Sequence, residues 1–221
     1  VAIDFYINEG STARIKEVKI IGVTKFDEDD LLSRLELKPT NFMSWWNKDD
    51  RYSRQVLTGD LEKIRSFYMN RGYLDFDIEN TTVSISETKK NVYIAIIIDE
   101  GNKYKFGDIK ISGKFYPLKE ESIFQNDIKT IKGEVFSRKL LNQSTESINQ
   151  ELGNYGYAFS NVNPIPDVDK KNLTVGFNYF IEPGKKVYVR RISFIGNERT
   201  QDRVLRREMR QFESSYYDKE K

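Results

Sequence analysis

Ile15-Lys-Glu-Val18-Lys-Ile20-Ile-Gly22 is a short alternating stretch that closes on glycine, and the chain carries it three times. It returns as Phe106-Gly-Asp-Ile109-Lys-Ile111-Ser-Gly113 and as Val189-Arg-Arg-Ile192-Ser-Phe194-Ile-Gly196. A second landmark is an alternating strand that runs into glycine: Val1/Ile3/Phe5/Ile7 to Gly10, Val92/Ile94/Ile96/Ile98 to Gly101, and Val175/Phe177/Tyr179/Ile181 to Gly184. Gly22 to Gly113 is 91 residues, and so is Gly10 to Gly101. Gly113 to Gly196 is 83, and so is Gly101 to Gly184. Two unrelated landmarks with the same two intervals define a repeat, and a repeat governs every later reading.

Working outward, each complete copy also holds a long amphipathic helix. Leu57, Leu61, Ile64 and Tyr68 share one helical face, and Leu141, Thr145, Ile148 and Leu152 repeat that spacing 84 residues later. Both helices run into Gly-Tyr, at Gly72-Tyr73 and Gly156-Tyr157. Glycine there is a left-handed helix cap, and the tyrosine is expected to pack back on the helix.

Each copy therefore reads strand, short helix, long helix, strand, strand. The first spans about 15–21, 27–36, 53–71, 75–86 and 91–99, and the second about 105–112, 119–129, 137–154, 158–168 and 172–182. The expected fold is α+β: tandem β-α-α-β-β modules, each a three-stranded mixed sheet of order 1-3-2 covered by two antiparallel helices. The fully apolar Val92–Ile98 run suits the central strand.

Composition removes most chemistry. Among 221 residues there is no Cys and no His, so disulfides, thiol nucleophiles, Cys/His zinc sites and imidazole bases are excluded. The net charge is +2, and units one and two are near balance, which leaves no electrostatic footprint for nucleic acid. Asp27-Glu-Asp-Asp30 reads as helix-start acids rather than a metal site. Gly153-Asn-Tyr-Gly156 matches a GxxG pattern, but it follows a helix and precedes a strand, out of place for a KH loop. No catalytic residue, metal ligand or cofactor is expected.

Trp45-Trp46-Asn47, Gly59–Tyr68, Arg71-Gly-Tyr73, Tyr155-Gly-Tyr-Ala158 and Val204-Leu-Arg-Arg-Glu-Met-Arg-Gln211 together resemble the POTRA modules of the BamA family, over essentially the whole chain. On that resemblance, 1–10 is the last strand of a preceding module. Residues 11–101 and 102–184 are complete third-like and fourth-like modules, and 185–221 is the first strand and helix of a fifth-like one. The resemblance implies a periplasmic array of a Gram-negative outer-membrane protein, set before a membrane β-barrel that this sequence does not include. Such an array binds unfolded outer-membrane proteins and docks lipoproteins. The implied contacts are BamD at the C-terminal helix and BamB at the first complete module. POTRA arrays of two-partner secretion transporters or division scaffolds are the alternative, and a carboxylate-only enzyme is the reading from another class.

Three candidate surfaces follow. The first is the edge formed by Phe76, Ile78, Asn80, Thr81, Thr82, Val83 and Ile85, a template for an extended client. Phe76 and Ile78 lie on one phase and Val83 and Ile85 on the other, so a β-bulge is expected at Asn80–Thr82. In the second module, Pro164 and Pro166 remove two donors from one side of the equivalent strand and blunt it. The second surface is the inter-helix loop of unit one, with Phe42, Trp45 and Trp46, which is a satellite core or a partner contact. The third is Arg203, Arg206, Arg207 and Arg210 on one helix face with Glu208 among them, in a 185–221 tail of charge +5. It is a solvated face or, on the resemblance, the lipoprotein-docking row. The tail cannot complete its own sheet and is expected to be poorly anchored or to borrow a neighbour's contacts.

Overall fold

The computed structural model describes residues 13–40, 51–113 and 121–217. The chain divides into two compact units, Val1–Lys103 and Tyr104–Lys221.

Unit one contains β1 (Arg14–Ile21), α1 (Glu28–Ser33), α2 (Arg54–Met69), β2 (Asp77–Ile85) and β3 (Asn91–Asp99). Its sheet has the order β1-β3-β2, with β1 parallel and β2 antiparallel to β3. β3 is central because it is apolar on its inner face: Val92, Ile94, Ile96 and Ile98 are all buried. They pack with Ile15, Val18 and Ile20 of β1, Leu31 of α1, and Leu57, Ile64, Phe67 and Tyr68 of α2. Each such side chain contributes roughly 1.5–3 kcal/mol of burial.

Unit two repeats the plan with β4 (Lys105–Gly113), a 3-10 helix (Glu121–Asp127), α3 (Arg138–Asn154), β5 (Asn161–Asp169) and β6 (Thr174–Glu182). The order is β4-β6-β5, again parallel then antiparallel. The same serine starts both long helices. Ser53 accepts from Val56 N–H and Ser137 from Leu140 N–H, which satisfies an orphan donor of the first turn. Both helices end as the Gly-Tyr pairs require. Tyr73 N–H donates to Tyr68 O and Tyr157 N–H to Leu152 O, and both tyrosines are buried.

Gly22 and Gly113 end the first strand of each unit at a close backbone approach. A Cβ on Gly22 would lie 2.2 Å from Ile98 O, and one on Gly113 2.1 Å from Ile181 O, with φ of +100° and +142°. Only glycine fits there, so the landmark that revealed the repeat is a steric requirement of the sheet.

The tail differs from expectation. It holds a short helix, α4 (Asp202–Glu208), but Val189–Ile195 forms no strand. In units one and two the first strand lies against a parallel third strand, and no such partner exists for 189–195 among the described residues. The tail instead closes on itself and on the turn after α3. Val189 N–H donates to Ser215 O, Ser214 N–H to Val189 O, and Tyr217 N–H to Val187 O. Val187 N–H donates to Gly156 O.

Candidate functional site

In a sheet of order 1-3-2 the outer strands carry the free backbone groups, so the candidate site of unit one is an edge. Ser86 N–H donates to Asn91 O at 2.9 Å, which fixes the phase of β2. Asn80, Thr82 and Ser84 point their backbone groups at β3, and Thr81, Val83 and Ile85 point theirs outward. No proline interrupts this row.

A bulge does break β2, but not at Asn80–Thr82. Asn80, Thr81 and Thr82 pair in unbroken register with Ile97, Ile96 and Ala95, and the shift falls between Ile78 and Asn80. Glu79 is therefore the extra residue. Thr81 takes an inward place beside Val83, so the phase flips before the next large apolar residue reveals it. Phe76 also leaves the proposed edge. It precedes β2, is buried, and stacks on Tyr68 with ring centroids 4.3 Å apart. Ile78 and Val83 are half-buried and Ile85 is 57% exposed. Phe42, Trp45 and Trp46 lie outside the described residues.

The opposite edge of this sheet is partly occupied. Ile20 N–H donates to Glu28 Oε1 at 2.9 Å, and Thr40 N–H donates to Ile15 O at 2.9 Å. The acidic run 27–30 is thereby explained. Asp27 caps Asp29 N–H, Glu28 takes the Ile20 N–H on the β1 edge, and Asp30 holds Arg34 through paired bonds of 3.0 and 3.1 Å.

Behind the edge sits a polar lock that sequence reasoning missed. Glu100 is 5% exposed and accepts from Tyr68 Oη at 2.8 Å, from Thr24 Oγ1, and from Lys25 N–H at 3.1 Å. Burial opposes its charge, yet the bonds from Thr24, the Lys25 backbone and Tyr68 outweigh it and hold the carboxyl below its ordinary range. Burial and this carboxylate push the Tyr68 hydroxyl far up. A second buried acid, Asp60, accepts from Glu36 N–H, Leu37 N–H at 2.9 Å and Lys63 Nζ at 2.9 Å, which pins the chain after α1 to α2. These acids are structural, with their oxygens already engaged by donors.

In unit two the β5 edge is blunted. Pairing with β6 runs unbroken through Pro164↔Tyr179 and Pro166↔Phe177. Lys105 N–H donates to Leu173 O, which sets β6 so that 174, 176 and 178 face β5. Both proline nitrogens therefore lie on the outer side, where two donors are missing.

The arginine row is only partly a row. Arg203, Arg206, Arg207 and Glu208 belong to α4, but the helix ends at Met209 in extended backbone, so Arg210 leaves that face. A seven-residue helix is too short to present an i+7 position. Arg206 is committed internally, to Glu213 Oε1 at 3.1 Å and Ile192 O at 2.8 Å. Glu208 Oε1 accepts from Arg207 Nε at 3.3 Å, and both are exposed.

Residues 13–101, 104–184 and 187–221 match the POTRA family model, described as surface antigen variable number repeat. The chain belongs to the POTRA family. It is 36% identical over 219 residues to the outer membrane protein assembly factor BamA of Buchnera aphidicola, covering 98% of this chain and 35% of that protein. It is 33% identical over 224 residues to BamA of Neisseria meningitidis, covering 100% of this chain and 28% of that protein. The crystal structure of Haemophilus influenzae BamA POTRA3-5 shares the fold, with a TM-score of 0.79 at 24% identity, over 98% of this chain and 84% of that one. The chain spans about a third of the length of the curated relatives it matches.

Proposed function

We propose that this chain is a periplasmic part of an outer-membrane β-barrel assembly factor and that it acts there as a scaffold, not a catalyst. Its kinship to BamA proteins supports the setting. The observation that carries the finer reading is the contrast between edges: on β1, Glu28 takes the Ile20 N–H and Thr40 meets the Ile15 carbonyl, whereas β2 offers the outward backbone of Thr81, Val83 and Ile85. An extended, unfolded outer-membrane segment adds there as a fourth strand. Backbone bonds give affinity that tolerates sequence, as varied clients require. Accessory lipoproteins dock elsewhere. A BamD-like partner meets the exposed Arg203, Arg207, Glu208 and Arg210, and a BamB-like partner meets unit one. The module boundaries at 10/11, 101/102 and 184/185 belong to the same reading. A photocrosslinking scan along 76–86, 160–168 and 203–211 tests it. Client adducts are expected within 80–85 and lipoprotein adducts within 203–210. Client adducts confined to 160–168 would overturn it.

A further inference from the structure

Both units carry a bulge at the same place in their first strand, and they fill it differently. On β1 the register shift falls between Ile15 and Glu17, opposite Tyr93 of β3. On β4 it falls between Phe106 and Ile109, opposite Gly176 of β6. The repeat intervals of 91 and 83 make Gly107 the counterpart of Lys16 and Gly176 the counterpart of Tyr93. Unit two thus lacks both large side chains at this bulge. Val175 and Phe177 are buried in the core, so Gly176 lies on the sheet face that the helices leave bare.

The backbones close in where the side chains are missing. A Cβ on Gly107 would lie 2.9 Å from Gly176 N, and one on Gly176 2.8 Å from Asp108 O. Over this glycine floor is a pocket of about 490 Å³. In unit one the equivalent register position holds Tyr93, 38% exposed.

Register sets the walls of the pocket. Lys105 and Asp169 flank Thr174 from opposite sides, Lys110 and Ile165 flank Asn178, and Asp167 pairs with Gly176 itself. Asp108 and Lys132 answer each other at the rim, and Asp169 holds its turn by accepting from Lys171 N–H and Asn172 N–H. Among the described residues, the side chains of Lys105, Lys110 and Asp167 are left without a hydrogen-bond partner. The β4 wall is therefore cationic and the β5 wall anionic. Neighbouring strands lie about 4.8 Å apart, so the two walls stand about 10 Å from each other.

We propose that this pocket docks a protein partner that inserts one tyrosine side chain, with an acidic residue on one side of it and a basic residue on the other. The ring takes the place that Tyr93 fills in unit one and rests on the peptide planes of Gly107 and Gly176. Its hydroxyl reaches the polar rim, where donors and acceptors both stand. The partner's acid faces Lys105 and Lys110 and its base faces Asp167, so opposite charges meet on both walls. The site lies on the sheet face, apart from the β2 edge and the arginine tail, and stands whatever the fate of either.

The test titrates the whole isotopically labelled chain with the blocked peptide Glu-Gly-Tyr-Gly-Lys, whose alternate side chains share one face when extended. Amide shifts are expected at Gly107, Asp167 and Gly176. Alanine in place of the peptide's tyrosine should weaken binding by about tenfold or more, since an aromatic anchor carries most of such a contact. Glutamine in place of its two charged residues should weaken it by about threefold. Asp167→Tyr lays the chain's own ring across Gly176, a cross-strand rescue of a strand glycine. It should slow exchange of the β6 amides and abolish the peptide shifts. Asp167→Asn, which changes the charge alone, should keep the shifts at reduced affinity. Shifts that survive loss of the peptide's tyrosine would overturn the site, and so would undiminished binding by Asp167→Tyr. Shifts confined to Thr81–Ile85 or to 203–210 would also overturn it, while leaving the readings of those surfaces standing.

Discussion

The Tyr68 hydroxyl donates to Glu100 across 2.8 Å, so the long helix of unit one is tied to the last residue before Gly101. Leu152 and Pro183 stand at the corresponding places in unit two, which therefore lacks this bond. The lock gives unit one an acid sensitivity of its own. Glu100 has a folded pKa below its unfolded value. Its stabilisation is complete above the ordinary glutamate value, about 4.3, and disappears as pH falls through the depressed folded value. Urea midpoints measured from about pH 7 down to about pH 3 should fall more steeply in the native chain than in Glu100→Gln. At neutral pH, Glu100→Ala should cost about 2–3 kcal/mol, because Tyr68 and Lys25 N–H lose their acceptor. Equal slopes in native and Gln forms would remove Glu100 from this role.

A methyl group separates the two classes of glycine. Gly113→Ala places a Cβ 2.1 Å from Ile181 O. It should destabilise unit two by about 2–4 kcal/mol, from backbone strain and sheet displacement together. Gly133 also has a positive φ, +89°, but a Cβ there meets nothing within 4 Å. Gly133→Ala should therefore cost only about 1 kcal/mol. Chemical denaturation of the two variants measures the gap.

Proline placement reports which side of β2 is free. Val83→Pro removes an outward donor and should leave folding within about 1 kcal/mol while abolishing capture of an extended peptide. Thr82→Pro removes a bond to β3 and should cost about 3 kcal/mol or more. Circular dichroism melts and peptide titrations of the pair distinguish the two effects. Similar melts for both would show the phase of the edge to be misassigned.

The reverse experiment opens β5. Pro164→Thr with Pro166→Thr restores two outward N–H groups to an edge that already carries the partly exposed Ile165 and Val168. The double variant should bind extended peptides at 161–169 or self-associate, as sedimentation velocity would reveal. A monomer with no new peptide binding would show that the prolines are not what blunts the edge.

In the tail, Arg206 and Glu208 should respond differently. Arg206→Ala removes the bonds to Glu213 and the Ile192 carbonyl and should loosen 189–217 itself. Glu208→Lys leaves those bonds in place. It should weaken docking of a BamD-like lipoprotein in a pull-down while the tail amides keep their exchange rates. Undiminished capture would reject Glu208 as a contact.

Legibility in the sequence followed the range of the interactions involved. Strand order and both helix stops were readable, because glycine spacing and 3.6-residue periodicity are local signals. The bulge was readable only to within a few residues. Ile78 and Val83 bracket a phase change, and the threonines between them carry no hydrophobic label to place Glu79. The Glu100 lock left no trace, since Thr24 and Tyr68 come from distant elements and an acid before glycine resembles any turn. The arginine row misled because spacing implies a helix long enough to hold it, and α4 stops before Arg210.

The proline pair of β5 has a meaning that reaches past its own sheet. Modules joined by a few residues hold one another at roughly millimolar local concentration. Like edges in such an array are one another's nearest competitors for pairing. Repeat proteins fail in this way, by zipping the wrong neighbours together while they fold. Pro164 and Pro166 leave the outer side of this strand without two of the donors that such pairing needs. Two missing hydrogen atoms thus leave this edge a poor partner for any like strand.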